Sequence, residues 1–450
     1  MEKTAPVSHL EDDHPELDAI FACICDLNGV MRGKRLPADQ IQKVRDGGLR
    51  MPLSLLGMDI WGEDVEGSDL VFDTGDADGI CEHTDRPASL LGWTERPTAF
   101  IQLWTRTEDG TPFAGDPRRA LADVVARLDR RGLRPVVATE LEFYIVDPTK
   151  AAPQPPRSPV TGKRLDTDGA LSLDELQHFD ALLNEIYDGC RAQGIPADSA
   201  ISENGAGQFE INFVHQSDPL KAADDAVLFK RLVRGLARKH GFAATFMAKP
   251  YGERAGSGMH AHVSLVDAEG VNLFDDGGPE GTPLMRQAVA GLIATMQENG
   301  LVFAPHENSY RRLLPGAHAP AAVAWGYENR TVAIRIPGGD NRARRIEHRV
   351  AGADANPYLV LAAILGGMLL GIEKGMEPPP PVTGDAYSMR LDRLPPDWAS
   401  AIDAFARGAA QTGIFAPRLV RMFEQMKRQE LGRFTRHVTD FEYHSYLEAV

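Results

Sequence analysis

The sequence is short of cysteine, of net positive charge and of long unbroken apolar runs, and each shortage narrows the field. Cys23, Cys25, Cys81 and Cys190 are the only 4 cysteines in 450 residues. Their spacing fits neither a paired zinc site nor a disulfide framework. Cys23 and Cys25, two apart in an apolar strand-like run, read as core. Lys and Arg number 48 against 64 Asp and Glu, a formal charge of −16. That balance argues against broad binding to nucleic acid or to an anionic membrane. The most apolar later run, residues 359–370, reads as too short and too broken by glycine to span a membrane. The N-terminus is acidic and shows no signal-peptide core, so a cytoplasmic protein is expected. With 43% hydrophobic and 25% charged residues, what remains is an ordinary globular chain, long enough for two domains.

Along the chain, residues 1–16 form a polar, acidic tail. A strand over 21–27, a turn at Asn28-Gly29 and a strand over 32–36 make a hairpin signal. Further strand-like runs at 71–72 and 98–105 lie among Gly- and Asp-rich loops. These predict a small β-rich domain over 17–112, closed by a boundary turn at 109–112, with a second domain over 113–450. Asp116-Pro117 opens a helix with an N-cap acid and proline at the first helical position. A Pro-rich loop covers 148–164. Ser172 with Glu175 three residues later predicts a capping box opening a helix over 172–193. Asp218-Pro219 starts another towards His240, and 354–376 and 417–431 read as helices.

The informative stretch is Thr139-Glu140-Leu141-Glu142-Phe143-Tyr144-Ile145-Val146. As a strand it sends Leu141, Phe143 and Ile145 to a core and leaves Glu140 and Glu142 together on the other face. One such pair is explained by a solvated strand face. Four later segments repeat the pattern, with polar lines of Gln208/Glu210/Asn212, His260/His262/Ser264, Arg335, and Arg345/Glu347/Arg349. An antiparallel sheet with one apolar and one polar face accounts for all of them. Its polar face would carry two sets of groups. Glu140, Glu142, Glu203, Glu210, His260 and Glu347 suit Mg²⁺ or Mn²⁺. Arg312, Arg330, Arg335, Arg345 and Arg349 suit phosphate and carboxylate, although an ion-pair scaffold around Glu347 would use Arg335, Arg345 and Arg349 equally well. Divalent metal, phosphate and carboxylate in one funnel describe an ATP-dependent enzyme acting on an acid.

The ordered motifs carry a resemblance. Glu140-Leu-Glu142, Glu203-Asn-Gly-Ala-Gly-Gln208-Phe-Glu210, Phe246-Met-Ala-Lys-Pro and Gly256-Ser-Gly-Met-His260-Ala-His262 come first. Asn308-Ser-Tyr-Arg-Arg312-Leu, Asn329-Arg330-Thr, Arg335-Ile-Pro, Arg344-Arg345-Ile-Glu347-His-Arg349 and Asp354-Ala-Asn-Pro-Tyr-Leu follow. From about residue 116 onward the chain resembles the glutamine synthetase superfamily. The resemblance implies an α+β fold, a small N-terminal β-grasp domain followed by a catalytic domain with a curved antiparallel sheet flanked by helices. It implies Glu142, Glu203 and Glu210 at a first metal, and Glu140, His260 and Glu347 at a second. Arg335 and Arg345 would clamp the transferring phosphoryl group with Arg330 close by. Arg312 and Arg349 would bind substrate carboxylate, and the Gly256 backbone its amino end. His262 and Ser264 would lie on the nucleotide side. ATP would be the co-substrate, with at least two Mg²⁺ or Mn²⁺ per site, and the subunits would form a ring, a dodecamer.

The sequence departs from that family at the nitrogen donor. Its members typically place an acidic residue after the Arg-Leu-x-Pro-Gly turn, in Gly-Tyr-Glu-Ala-Pro, where it holds and deprotonates ammonium. Here the turn reads Gly316-Ala-His318-Ala-Pro320. A neutral imidazole takes a proton from an amine but offers no fixed negative charge. The Asp-Gly-Ser-Ser motif of the N-terminal domain is also absent, and Asp59 is the nearest acid. The expectation is a ligase that joins glutamate's γ-carboxylate to an organic amine through a γ-glutamyl phosphate, similar to the γ-glutamylpolyamine and γ-glutamylmonoamine synthetases. Asp59, Glu63, Asp64 and Glu66 would be candidates for the amine entrance. An ordinary glutamine synthetase using ammonia and a non-catalytic ring-shaped sensor or scaffold are the alternatives.

Overall fold

The computed structural model describes residues 14–72, 74–149, 152–314, 316–317 and 319–450. Most of the expected tail over 1–16, and His318, lie outside these residues. The first part of the chain forms β1 (Ala19–Cys25), β2 (Met31–Pro37), β3 (Leu49–Pro52), β4 (Asp78–His83), β5 (Ser89–Leu90) and β6 (Thr98–Arg106). The expected hairpin is there, with β1 and β2 antiparallel around the turn at Gly29 (φ 75°). β1 also runs parallel to β6, giving the order β2-β1-β6-β4-β3 with β5 beside β6. The run at 71–72 is a turn and no strand; Phe72 is 66% exposed, so no sheet face holds it.

The second sheet is curved and nearly closed. It contains β7 (Arg134–Val146), β8 (Ala197–Ser202), β9 (Gln208–Phe213), β10 (Ala243–Thr245), β11 (Met259–Val266), β12 (Trp325–Tyr327), β13 (Ile334–Ile336) and β14 (Ile346–His348). The order is β12-β13-β14-β11-β7-β9-β8, with β10 pairing β7, and the pairs are antiparallel except β12–β13. Helices cover its apolar face. Phe229 of the helix Pro219–Lys239 meets Phe143 of β7 edge-on at 6.0 Å and Phe213 of β9 at 5.1 Å.

Several helix starts follow the capping logic. Asp116 accepts from the backbone N–H of Arg118 (2.9 Å) and Arg119 (3.3 Å). The helix expected over 172–193 is two helices, Leu173–His178 and Asp180–Ala192, broken at Phe179. Ser172 caps the first by accepting from Glu175 N–H. Glu175 does not close the box, because its carboxylate accepts instead from Gly207 N–H (2.6 Å) and Ser202 Oγ (3.1 Å). The run 359–370 belongs to the helix Pro357–Lys374, whose cap is Asn356. By length and composition this helix is long enough to cross a membrane, so shortness is not what disqualifies it. It is 78% buried inside the protein. Its glycines serve packing: a Cβ on Gly371 would lie 2.0 Å from Gln287 O of the helix Pro283–Thr295, so the two helices cross nearly backbone to backbone.

The core is continuous between the two sheets. Gln102 of β6 donates to Asp224 Oδ1 (2.9 Å) and to the Tyr358 hydroxyl, and Tyr358 donates to the same Asp224 oxygen (2.6 Å). Arg118 completes the group with bonds to both Asp224 oxygens, at 3.0 and 3.1 Å.

Candidate active site

β7 is the backbone of the site. Its alternation buries Leu141, Phe143 and Ile145 completely and turns Glu140 and Glu142 to the other face. Register then chooses their neighbours. Glu142 faces Glu210; Glu140 faces Asn212 on one side and His260 on the other. Further out, His262 faces Glu347, and Glu347 faces Arg335. A slip of one residue would send each of these side chains into the core. They line one cavity of about 680 Å³ together with Glu203, Gly256, Arg312, Arg330, Arg345 and Arg349. Ser264 is the exception among the described metal, nucleotide and glutamate candidates. It lies in an adjoining cavity of about 260 Å³ with His215 and Arg345.

The carboxylates gather in sets that suit cations. Donor atoms of Glu142, Glu203 and Glu210 lie within 4.8 Å of one another, as do those of Glu140, Glu210 and His260, and those of Glu140, His262 and Glu347. The first set is the trio expected at one metal. Burial, with Glu140, Glu142 and Glu203 nearby, pushes the Glu210 carboxyl up to about 9. Burial and the Glu142 charge push Glu203 upward too. Carboxylates driven towards protonation by desolvation and by one another are stabilised in their charged form by a hard divalent cation. The donor set therefore fits Mg²⁺ or Mn²⁺.

The second expected trio is spread more widely. His260 Nδ1 lies 3.0 Å from Glu140 Oε2 and 3.9 Å from Glu347 Oε1. His262 joins the same carboxylate, its Nε2 2.8 Å from Glu140 Oε1, while its Nδ1 accepts from Arg345 Nε at 3.1 Å. With Nδ1 accepting, Nε2 is the ring nitrogen that donates to Glu140. Burial opposes ionisation of Glu140, but its bonds to His260 and His262 outweigh this and hold it well below the usual carboxylate range.

The arginines are partly engaged already. Glu347 takes Arg335 Nη1 on one oxygen (2.9 Å) and Arg349 Nη1 on the other. For Arg335 and Arg349 the ion-pair scaffold around Glu347 is thus present, whereas Arg345 goes to His262. Burial raises the Glu347 carboxyl, but Arg349 and the two histidines keep it lowered. The Nε atoms of Arg335 and Arg349 are buried donors with no acceptor among the described residues. Arg312 donates to the backbone oxygens of Val350 (2.7 Å) and Arg349 (3.4 Å), which fixes its fork against the end of β14. Gly256 lets it come close: a Cβ there would lie 2.8 Å from Arg312 Cγ and 2.6 Å from Ala248 O. Arg330 is exposed on the wall of the cavity.

The cavity also contains groups that sequence reasoning passed over. Gln208 donates to Gly256 O at 3.0 Å and lies 3.5 Å from Glu142 Oε2; its place on the polar face of β9 was the available signal. Glu328 accepts from Arg335 Nη2 (3.3 Å) and from Gly338 N–H, on a left-handed backbone with φ 53°. Leu171 lines the rim, and nothing in its sequence neighbourhood announces it. Asp59 lies elsewhere. It is fully buried and accepts from Trp61 N–H (3.0 Å), Glu63 N–H (2.9 Å) and Gln429 Nε2 (3.0 Å) of its own chain. Glu63 pairs with Arg433 at 2.9 Å.

Comparison with known proteins agrees with this arrangement. Residues 114–446 match the catalytic domain of glutamine synthetase. The chain is 40% identical over 444 residues to gamma-glutamylputrescine synthetase PuuA of Escherichia coli (strain K12), covering 98% of this chain and 93% of that protein. It is 31% identical over 443 residues to a glutamate–isopropylamine ligase of a Pseudomonas species, covering 96% of each. A solved structure of GmaS in complex with ADP superposes with a TM-score of 0.87 at 28% identity, covering 99% of this chain and 100% of that one. Sheet, cavity and sequence likeness coincide over nearly the whole length, and the chain belongs to the glutamine synthetase family.

Proposed function

We propose that this protein is an ATP-dependent glutamate–amine ligase, joining the γ-carboxylate of glutamate to an organic amine and releasing ADP and phosphate. The carrying observation is the single cavity in which the Glu142–Glu203–Glu210 cluster stands against the Arg312, Arg330, Arg335, Arg345 and Arg349 group. Divalent cations at the carboxylates, two or more per site, would neutralise the polyphosphate of ATP. Arg335 and Arg345, with Arg330, would stabilise the phosphoryl group as it passes to the γ-carboxylate oxygen. Arg312 and Arg349 would hold the substrate's own carboxylate, and the Gly256 backbone its amino end. Attack by the amine nitrogen on the acyl carbon then forms the amide bond and expels phosphate, and the nitrogen's proton would pass to His318.

The amine reading rests on chemistry at the turn and on the relatives. Residues 313–321 contain no carboxylate, so nothing there supplies the negative charge that selects ammonium. Relatives at 40% and 31% identity are named for putrescine and isopropylamine. A ring-shaped dodecamer acting in the cytoplasm completes the reading.

The test incubates the protein with ATP, Mg²⁺ and glutamate and measures phosphate release against ammonium, methylamine, ethylamine, ethanolamine, putrescine and spermidine. Release with an organic amine and little with ammonium supports the ligase. Release with ammonium alone makes the protein an ordinary glutamine synthetase, and silence throughout would favour a binding protein.

A further inference from the structure

The cavity is chemically divided. Four of its six lining glutamates and both histidines stand on the strands, and Ala170, Leu171, Ile201, Ala317, Ala319 and Pro320 add apolar side chains to its lining. Leu171 is the unusual member. Its side chain is 71% exposed, and its backbone is left-handed with φ 60°, one of three non-glycine residues so held among those described. A leucine in that conformation is sterically disfavoured, and an exposed one forgoes the burial that would compensate. Strain of this kind persists only where the surroundings enforce it.

The surroundings do enforce it. Leu171 N–H donates to Ser202 O at 2.7 Å. On one side, Asp168 Oδ1 accepts from Ala206 N–H (3.1 Å) and Arg254 Nη1 (2.8 Å). On the other, Ser172 caps its helix, and Glu175 in that helix accepts from Gly207 N–H. The loop is thereby fastened at both ends to the 202–207 segment that carries Glu203 of the carboxylate cluster. Leu171 is a fixed apolar surface beside a charged floor.

We infer that Leu171 is a specificity-determining residue for the amine, which is a primary alkylamine whose carbon chain lies along this rim while its nitrogen reaches the reacting carbon. The inference rests on the ligase reading above and names the part of the amine that the protein recognises. Ammonium has no carbon to place there. Methylamine reaches little of the rim, and a four-carbon chain covers it.

The experiment uses the full chain with Leu171→Ala, and with Leu171→Gly, which suits the left-handed backbone and preserves the fold. Phosphate release is measured with ammonium, methylamine, propylamine and butylamine, and assembly mass by light scattering. The wild type is expected to gain in kcat/KM from methylamine to butylamine. Both variants should raise the KM for butylamine about tenfold and that for methylamine less than about twofold. The KM values for ATP and glutamate, and the assembly mass, should stay where they are. An equal loss along the series overturns the inference. So does a change of assembly mass, which would make Leu171 a contact between subunits. A wild type active with ammonium alone removes the ligase reading itself, whereas a wild type active with alkylamines whose variants show no chain-length dependence removes only the role of Leu171.

Discussion

Glu142 and Glu210 stand directly opposite each other on adjacent antiparallel strands, two carboxylates where cross-strand pairing favours opposite charge. Burial and the neighbouring carboxylates raise Glu210 from 4.5 to about 9. The folded protein therefore holds this proton more tightly than the unfolded chain. The associated stability is complete below 4.5 and is lost as pH rises through about 9. Metal-free protein should lose thermal stability between about pH 5 and pH 9, and Mg²⁺ should raise Tm more at the upper end. Fluorimetric melting with EDTA and with Mg²⁺ checks this; a Mg²⁺ effect independent of pH would contradict it.

Glu210→Gln separates repulsion from ligation. Above about pH 9, where Glu210 gives up its proton, removing that charge should raise the Tm of metal-free protein by about 2–4 °C. It should also weaken Mn²⁺ binding by at least about tenfold, read by titration with electron paramagnetic resonance. A variant that bound Mn²⁺ like the wild type would exclude Glu210 as a ligand.

Arg335 reaches two carboxylates at once, Glu347 Oε2 at 2.9 Å and Glu328 Oε1 at 3.3 Å. Lysine cannot span both with one ammonium. Arg335→Lys is expected to lower kcat by about 10²–10³ while the KM for glutamate changes less than about threefold. Steady-state kinetics decide, and an unchanged kcat would remove Arg335 from the phosphoryl step.

At Gly256 a methyl group would overlap Ala248 O and Arg312 Cγ. Gly256→Ala should displace the Arg312 fork and raise the KM for glutamate about tenfold or more. It should also cost about 1–3 kcal/mol of stability, seen as a lower urea midpoint. Kinetics matching the wild type would show that Arg312 does not hold the acid.

Asn356 tests the junction between the sheets. Its Oδ1 caps a helix by accepting from Tyr358 N–H (3.0 Å), and its Nδ2 donates to Asp26 O (2.9 Å). Asn356→Ala should cost about 2 kcal/mol, and Asn356→Asp, which keeps the cap, about half as much. Urea unfolding of both variants measures the difference.

Much of the site was legible because it is made of strands. Period-two alternation names the face of each residue, so Glu140, Glu142, Glu210, His260, His262 and Glu347 came from the sequence on their correct side. Neighbours across strands were less accessible, since register depends on distant turns. The pairing of His262 with Glu347, and the donation of Arg345 to His262, follow from the register of β11 against β14 and from the fold around it. Local rules failed where tertiary partners competed. Glu175 fits a capping box by spacing but serves Gly207 and Ser202 across the fold, and Phe179 breaks the stretch 172–193 that was expected as one helix. Leu171 and Glu328 owe their roles to left-handed backbone, which the identity of a residue other than glycine does not advertise. For the N-terminal sheet, the hairpin at Gly29 was readable from its turn, while the parallel pairing of β1 with β6 was not.

The bonds joining Gln102, Arg118, Asp224 and Tyr358 bear on how such chains can be recombined. Sequence likeness to the family's catalytic domain starts at residue 114, but Gln102 lies on the other side of that line and completes a buried polar group within the catalytic half. A chimera spliced at that line inherits Gln102 from one parent and Arg118, Asp224 and Tyr358 from the other. If the donor offered an apolar side chain in place of Gln102, Tyr358 and Asp224 would each lose a buried partner. The two halves of this chain are therefore expected to have changed together, and a viable exchange between relatives would carry the Gln102 position along with the catalytic half.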